Sequence, residues 1–179
     1  MARRHTGWVT IHSDHPFVPP DDERRPIRRF RGRLPSGVTL LATGTGAGRA
    51  GLTVSSLLVA DGEPATLLAL VDEESSLWEA LAGTRVAAVS LLGWEQRQVA
   101  DVFAGVAPSP GGAFRTGSWT DSSWGPVVED TSAWAGCRLA EGKPRRIGWS
   151  LLLELAVEHV EVGPDSDPLM HRRGRYLRP

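Results

Sequence analysis

Little in this chain ties it to an oxidising compartment or a membrane. One cysteine, Cys137, stands among 179 residues, which excludes an intramolecular disulfide and a structural zinc site built from thiolates. No run approaches the roughly eighteen apolar residues of a membrane span. The most apolar stretch, LLVADGEPATLLALV, is broken by Asp61, Glu63 and Pro64. The N-terminus, MARRHTGWVTIHSDHPF, has arginines but no apolar stretch behind them, so it does not read as a secretory signal. A soluble cytoplasmic protein with no membrane contact is expected.

An excess of charge of one sign is also missing. Twenty Lys and Arg stand against 21 Asp and Glu, a formal charge of -1. The distribution is uneven: residues 1–35 hold eight Arg and four acids, residues 36–167 eight bases and seventeen acids, and residues 168–179 four Arg and no acid. Only the ends are basic, so nucleic acid is not expected as a partner.

What is present is the composition of a folded chain, 41% apolar and 23% charged. Its length suits one domain with a small arm. Residues 1–25 mix His, Pro, Asp and Thr without a period and read as an N-terminal arm suited to lie against the body or a partner subunit. Residues 26–179 form the domain. From Pro26 to Leu34 the apolar positions Ile27, Phe30 and Leu34 stand at helical spacing, with arginines on the other face.

Four strand-like segments follow: 37–44, 51–59, 65–71 and 85–92. The turns TGAGRA and ADGEP between the first three are too short for parallel crossovers, so the pairing is antiparallel. A helix is expected between Asp72 and Gly83, with Ser76 and Glu79 at capping-box spacing and Gly83 as its stop. Another is expected from Trp94 to Ala104, with Val99, Val102 and Phe103 inward. Residues 107–131 read as a long loop holding Trp119 and Trp124. Strands resume at 134–141 and 147–162, and a change of parity between Val157 and Val160 implies a bulge. Trp149, entering that strand, is expected in the core. The sum is six or seven antiparallel strands with two or three helices, a mainly β small barrel.

The residues also exclude several chemistries. TGTGAGRAG lacks the lysine and following helix of a phosphate loop. His5, His12 and His15 have no metal-ligand spacing, so no metal is expected. No pair of carboxylates stands out for acid–base work.

The order of LPSGVTLLAT, AGLTVSSLLV, DEESSLW, VADVFAG, the GCRL strand and PLMHRRGRY resembles the flavin reductase-like domain family over residues 26–177. The resemblance implies an FMN-binding split barrel. It also implies a homodimer in which NADH or NADPH passes hydride to the flavin and reduced flavin goes to a flavin-dependent monooxygenase. It places the flavin against Thr53, Val54, Ser55 and Ser56, whose backbone and hydroxyls suit a flavin's polar edge. The phosphate falls to Asp72, Ser75, Ser76 and Leu77, at a helix start. Phe103 and Tyr176 become walls of the groove.

Two departures stand out. Glu74 occupies the place where the family often carries a basic residue, so a phosphate needs a cation from elsewhere, with Arg172 or an arginine of the first helix the candidates. Gly148, Trp149 and Ser150 stand where flavin reductases often carry Gly-Asp-His, so Ser150 replaces an imidazole and no catalytic residue is named. Three readings follow. The first is an FMN-binding flavin reductase-like oxidoreductase. The second is a flavoprotein with tightly bound FMN or deazaflavin in an oxidase or accessory role, with FAD not distinguished from FMN. The third is a non-catalytic split-barrel dimer, favoured by the acids at 72–74. Cys137 matches a cysteine common in the family and is expected to pack.

Overall fold

The computed structural model describes residues 26–178; the expected arm at 1–25 lies outside them. The chain opens with α1 (Pro26–Arg33), β1 (Ser36–Gly37) and β2 (Thr39–Thr43), then β3 (Ala50–Val54), β4 (Leu57–Ala60) and β5 (Thr66–Asp72). Helix α2 (Ser76–Thr84), β6 (Val86–Leu91) and α3 (Arg97–Phe103) follow, then β7 (Trp119–Ser122), β8 (Gly125–Val128) and β9 (Ala133–Leu139). The chain closes with β10 (Arg145–Ile147), β11 (Ser150–Val162), β12 (Met170–Arg172) and β13 (Arg175–Leu177).

The main sheet runs β3-β2-β6-β9-β11-β5-β4, with β10 added to β11, and every pair is antiparallel as expected. Flat, its end strands would lie about 29 Å apart at the usual strand spacing. Only Ser55 and Ser56 join them, a link that reaches about 11 Å at most from Val54 to Leu57. The sheet must therefore curl until its two ends meet. β3 and β4 are not paired with each other, so the barrel is split along that seam. The expected single strand at 51–59 is thus two strands, because its halves pair with neighbours on opposite sides of the barrel.

Leu41, Leu67, Val71, Val89, Cys137, Leu151, Leu153 and Leu155 fill the barrel, and α2 closes it with the fully buried Leu77 and Leu81. β2 is buried along its whole length. Leu41 faces the barrel, while Leu40 joins a second cluster with Val38, Leu92, Val99, Phe103 and Leu169 against α3. A strand sandwiched on both sides reads as an unbroken apolar run, and TLLAT does.

Local chemistry moves several boundaries. Ser75, not Ser76, caps α2, accepting a hydrogen bond from Trp78 N at 3.3 Å. This register leaves Glu79 without a capping-box role. The helix runs through Gly83 and ends at Arg85, which takes φ 62°. Its guanidinium donates to the Leu139 and Ala140 carbonyls, which holds the residue there. The expected loop at 107–131 contains the β7–β8 hairpin. Trp149 stands at the tip of the β10–β11 hairpin, between the paired Ile147 and Ser150, and is 71% exposed rather than in the core. The apolar face of α1 is exposed as well: Ile27, Phe30 and Leu34 are not covered by the described residues. Arg173 N donates to Gly32 O at 2.8 Å, so the two arginine-rich ends of the sequence adjoin.

The expected bulge is present. β11 pairs Val157 with Cys137 and then His159 with Gly136, leaving Glu158 as the extra residue. Its carboxylate takes hydrogen bonds from Arg138 and from Trp124 Nε1, at 2.7 Å for the latter, and Arg138 with Trp124 holds it below the ordinary glutamate range. Trp124 stacks on His159 at 5.3 Å and 15°, and its ring lies where a Cβ at Gly136 would fall, 2.3 Å from Trp124 Cδ2. Gly136→Ala is therefore expected to displace the indole and destabilise the fold by about 1–3 kcal/mol, the usual cost of overpacking, read as a lower midpoint in urea denaturation.

Candidate functional site

A groove of about 650 Å³ opens between the turn before β3, the start of α2, the end of α3 and residues 111–115. Its floor is the backbone of Gly51. A Cβ there would lie 2.8 Å from Phe103 Cε1, so the missing side chain is what lets the Phe103 ring lie against β3. Phe103 meets Phe114 at 4.9 Å and Trp119 at 5.4 Å, and the last two meet at 4.8 Å, all edge-on. Trp119 Nε1 donates to Thr116 O at 3.1 Å. Each ring is fixed by two others, which gives the groove a rigid aromatic wall.

Two guanidinium groups line the same groove. Arg49, half-buried in the turn before β3, donates through Nη2 to Asp121 Oδ1 at 2.6 Å, and its guanidinium lies 5.8 Å from the centre of Phe114. Its Nε is buried and has no hydrogen-bond partner among the described residues. A buried N–H without an acceptor is costly and rare, and it marks a place for an incoming acceptor. Arg115 is exposed at the rim. Ser75 and Ser76 bring the start of α2 to the groove, where the first helical N–H groups have no intrahelical acceptor. An aromatic wall, bare glycine backbone, two cations and a helix start together suit a planar ligand that carries an anion.

The flavin reductase like domain model matches residues 31–178. The chain belongs to that family. It is 32% identical to an FMN reductase (NADH) of Methylorubrum extorquens over 150 residues, covering 83% of this chain and 73% of the relative. An FMN reductase (NADH) of Variovorax paradoxus is 30% identical over 160 residues, covering 89% and 87%. Among solved structures, the NADH:FAD oxidoreductase of Streptomyces globisporus superposes with a TM-score of 0.76 at 24% identity, covering 90% of this chain and 95% of that one. The flavin reductase component of a bacterial two-component tryptophan halogenase superposes with a TM-score of 0.75 at 21% identity, covering 85% and 95%. The fold is that of the flavin reductase split barrels.

The residues that the family resemblance singles out divide into two groups. Ser75, Ser76 and Phe103 line the groove. The others do not. The Thr53 hydroxyl donates to Ala100 O at 2.7 Å and ties α3 to β3. Val54 is buried in the barrel core. Ser56 Oγ donates to Leu70 O at 2.9 Å and accepts from Leu70 N at 3.2 Å, so its capacity is spent pinning the seam. Ser55 is half-buried, and its hydroxyl has no partner among the described residues. Leu77 is fully buried in the barrel.

Asp72 ends β5 directly across from Ser150 on β11, and its carboxylate accepts from Glu74 N at 3.0 Å. Arg172 and Tyr176 belong to the separate β1-β12-β13 sheet, which removes both from the groove. Tyr176 donates to Asp101 Oδ1 at 2.8 Å, and burial first, then that bond, pushes its hydroxyl above the usual tyrosine range. The cations that line the groove are Arg49 and Arg115, and Arg172 is not among its lining residues. Arg49 lies in the TGAGRA turn and Arg115 in the stretch read as a loop at 107–131, and neither segment was legible as a carrier of charge for a site.

Cys137 packs as expected. Burial, reinforced by the Glu158 charge, pushes its thiol up to about 12, so it stays protonated and unreactive at neutral pH. In the native protein it is expected to resist iodoacetamide at pH 8 and to react fully once unfolded, as read by mass spectrometry.

Proposed function

We propose that this protein is an NADH-dependent FMN reductase, acting in the cytoplasm as a homodimer and passing reduced flavin to a separate monooxygenase. The observation that carries the reading is the groove itself: an aromatic wall seated on the Gly51 backbone, beside a buried guanidinium N–H that lacks an acceptor among the described residues. The donor set fits a flavin. Phe103, seated on Gly51, gives the ring system an apolar face, and the polar end meets the cations and the start of α2. The relatives at 30–32% identity support FMN as the flavin and NADH as the donor.

A flavin held by Phe103, Ser75 and Ser76 would supply the electron acceptor for a hydride from the nicotinamide. The protein's share is to bind, orient and shield. Gly148, Trp149 and Ser150 offer no imidazole beside Asp72, so turnover carries no histidine ionisation from that triplet. The profile of kcat is expected to be flat between about pH 6 and 8, where such an ionisation would appear.

The reading is tested by titrating purified protein with FMN and then following NADH oxidation by absorbance. Saturation at one FMN per chain, with NADH consumed faster than NADPH, is the expected result. Saturation without NADH oxidation would turn the reading to an accessory flavoprotein, which the missing imidazole favours. No FMN binding by the folded protein would overturn both. Gly51→Val provides a local check: its Cβ meets the Phe103 ring, and FMN affinity is expected to fall about tenfold or more, in line with an overpacking cost of about 1–3 kcal/mol.

A further inference from the structure

We propose that Arg49 and Arg115 are the phosphate-binding residues of the groove, and that through them the protein selects phosphorylated flavin over riboflavin. The proposal rests on the flavin reading above. The start of α2 is the obvious anion site, yet the segment leading into it is acidic: Asp72, Glu73 and Glu74. The structure neutralises part of that charge. Glu73 is ion-paired with Arg146 of β10, and the Asp72 carboxylate is occupied by Glu74 N. Neither interaction brings a cation to the groove. Arg49 and Arg115 do so from two other segments, the turn before β3 and the loop after α3.

Their states differ in a way that suits a shared ligand. Arg49 is positioned: Asp121 holds Nη2 at 2.6 Å and Phe114 lies under the guanidinium, while the buried Nε–H has no acceptor among the described residues. Arg115 forms no ion pair among the described residues, and its side chain lies along Gly111, with Cδ 3.0 Å from where a Cβ would be. A phosphate monoester carries close to two negative charges near neutral pH. Arg115 brings a full unpaired charge, and Arg49 brings a directed donor whose charge Asp121 partly offsets. Guanidinium groups suit phosphate because their planar forks donate two bonds at once. Riboflavin presents the same ring and ribityl chain without the anion, which makes it the matched control.

Dissociation constants for FMN and riboflavin are measured by flavin fluorescence on the full chain, for wild type, Arg115→Gln, Arg49→Gln and Arg49→Lys, at low and high salt. Wild type is expected to prefer FMN by about tenfold or more. Arg115→Gln and Arg49→Gln each lose about tenfold in FMN affinity with riboflavin changed less than twofold, and Arg49→Lys recovers only part of the loss. Added salt weakens FMN binding and leaves riboflavin unaffected. Equal binding of the two flavins by wild type, or parallel loss of both in the variants, overturns the proposal while the flavin reading stands. Binding of neither flavin by wild type removes the flavin reading and the proposal together. If Arg49→Gln does not fold, the exposed Arg115 and the wild-type preference decide the matter.

Discussion

Ser55 and Ser56 are all the chain that joins two strands lying at opposite ends of one sheet. That short tether dictates the curvature of the barrel, and the nearby hydroxyls secure it. Ser56 bonds both polar groups of the Leu70 backbone and so fastens the start of β4 to β5. Thr39 does the same on the other side, donating to Val54 O at 2.9 Å. Of the polar residues of TVSS, Ser56 therefore serves closure, while Thr53 serves the packing of α3.

From the seam, the constraint passes to the site through contacts that are each short and specific. Thr53 holds the Ala100 carbonyl and so sets α3 against β3. Phe103, at the end of α3, then lies on Gly51, and Phe114 and Trp119 pack edge-on against it. Phe114 in turn underlies Arg49, and Asp121 of β7 anchors the guanidinium. The Thr53 hydroxyl, spent on a backbone carbonyl, thus helps decide where Arg49 stands.

Much of the architecture was legible because it rests on local rules. Short turns ruled out parallel pairing, the parity change at Val157 marked the bulge, and Val99, Val102 and Phe103 showed the inner face of α3. The misses have a common cause in long-range partners. Nothing local distinguishes a strand that runs through Ser55 and Ser56 from two strands that part there, since both halves carry strand residues. Ser76 with Glu79 forms a good local box, but Ser75 takes the cap because its hydroxyl also reaches Asp72 O at 2.6 Å. Trp149 has the bulk of a core residue and the position of a hairpin tip. At the site, Ser75, Ser76 and Phe103 follow from the family resemblance, whereas Arg49 and Arg115 become groove residues only once the β2–β3 turn and the 111–115 segment are brought to one place.

The placement of charge around the groove follows from what a flavin site must do with an anion in an acidic body. Residues 36–167 hold seventeen acids and eight bases, so a phosphate entering there meets a repulsive field unless cations are fixed at short range. The described arginines of α1 and of β12–β13 are not among the residues that line the groove. Within the body, Arg146 is committed to Glu73, and Arg138 to Glu158. Arg49 is tied to an exposed carboxylate, Asp121, and Arg115 to none among the described residues. Screening makes an exposed ion pair weak, so Asp121 orients Arg49 without cancelling its charge toward a ligand in the groove. Against that acidic background Arg49 and Arg115 are the two basic side chains that line the groove, and an anion seated there meets cations at short range rather than the excess of carboxylates around it.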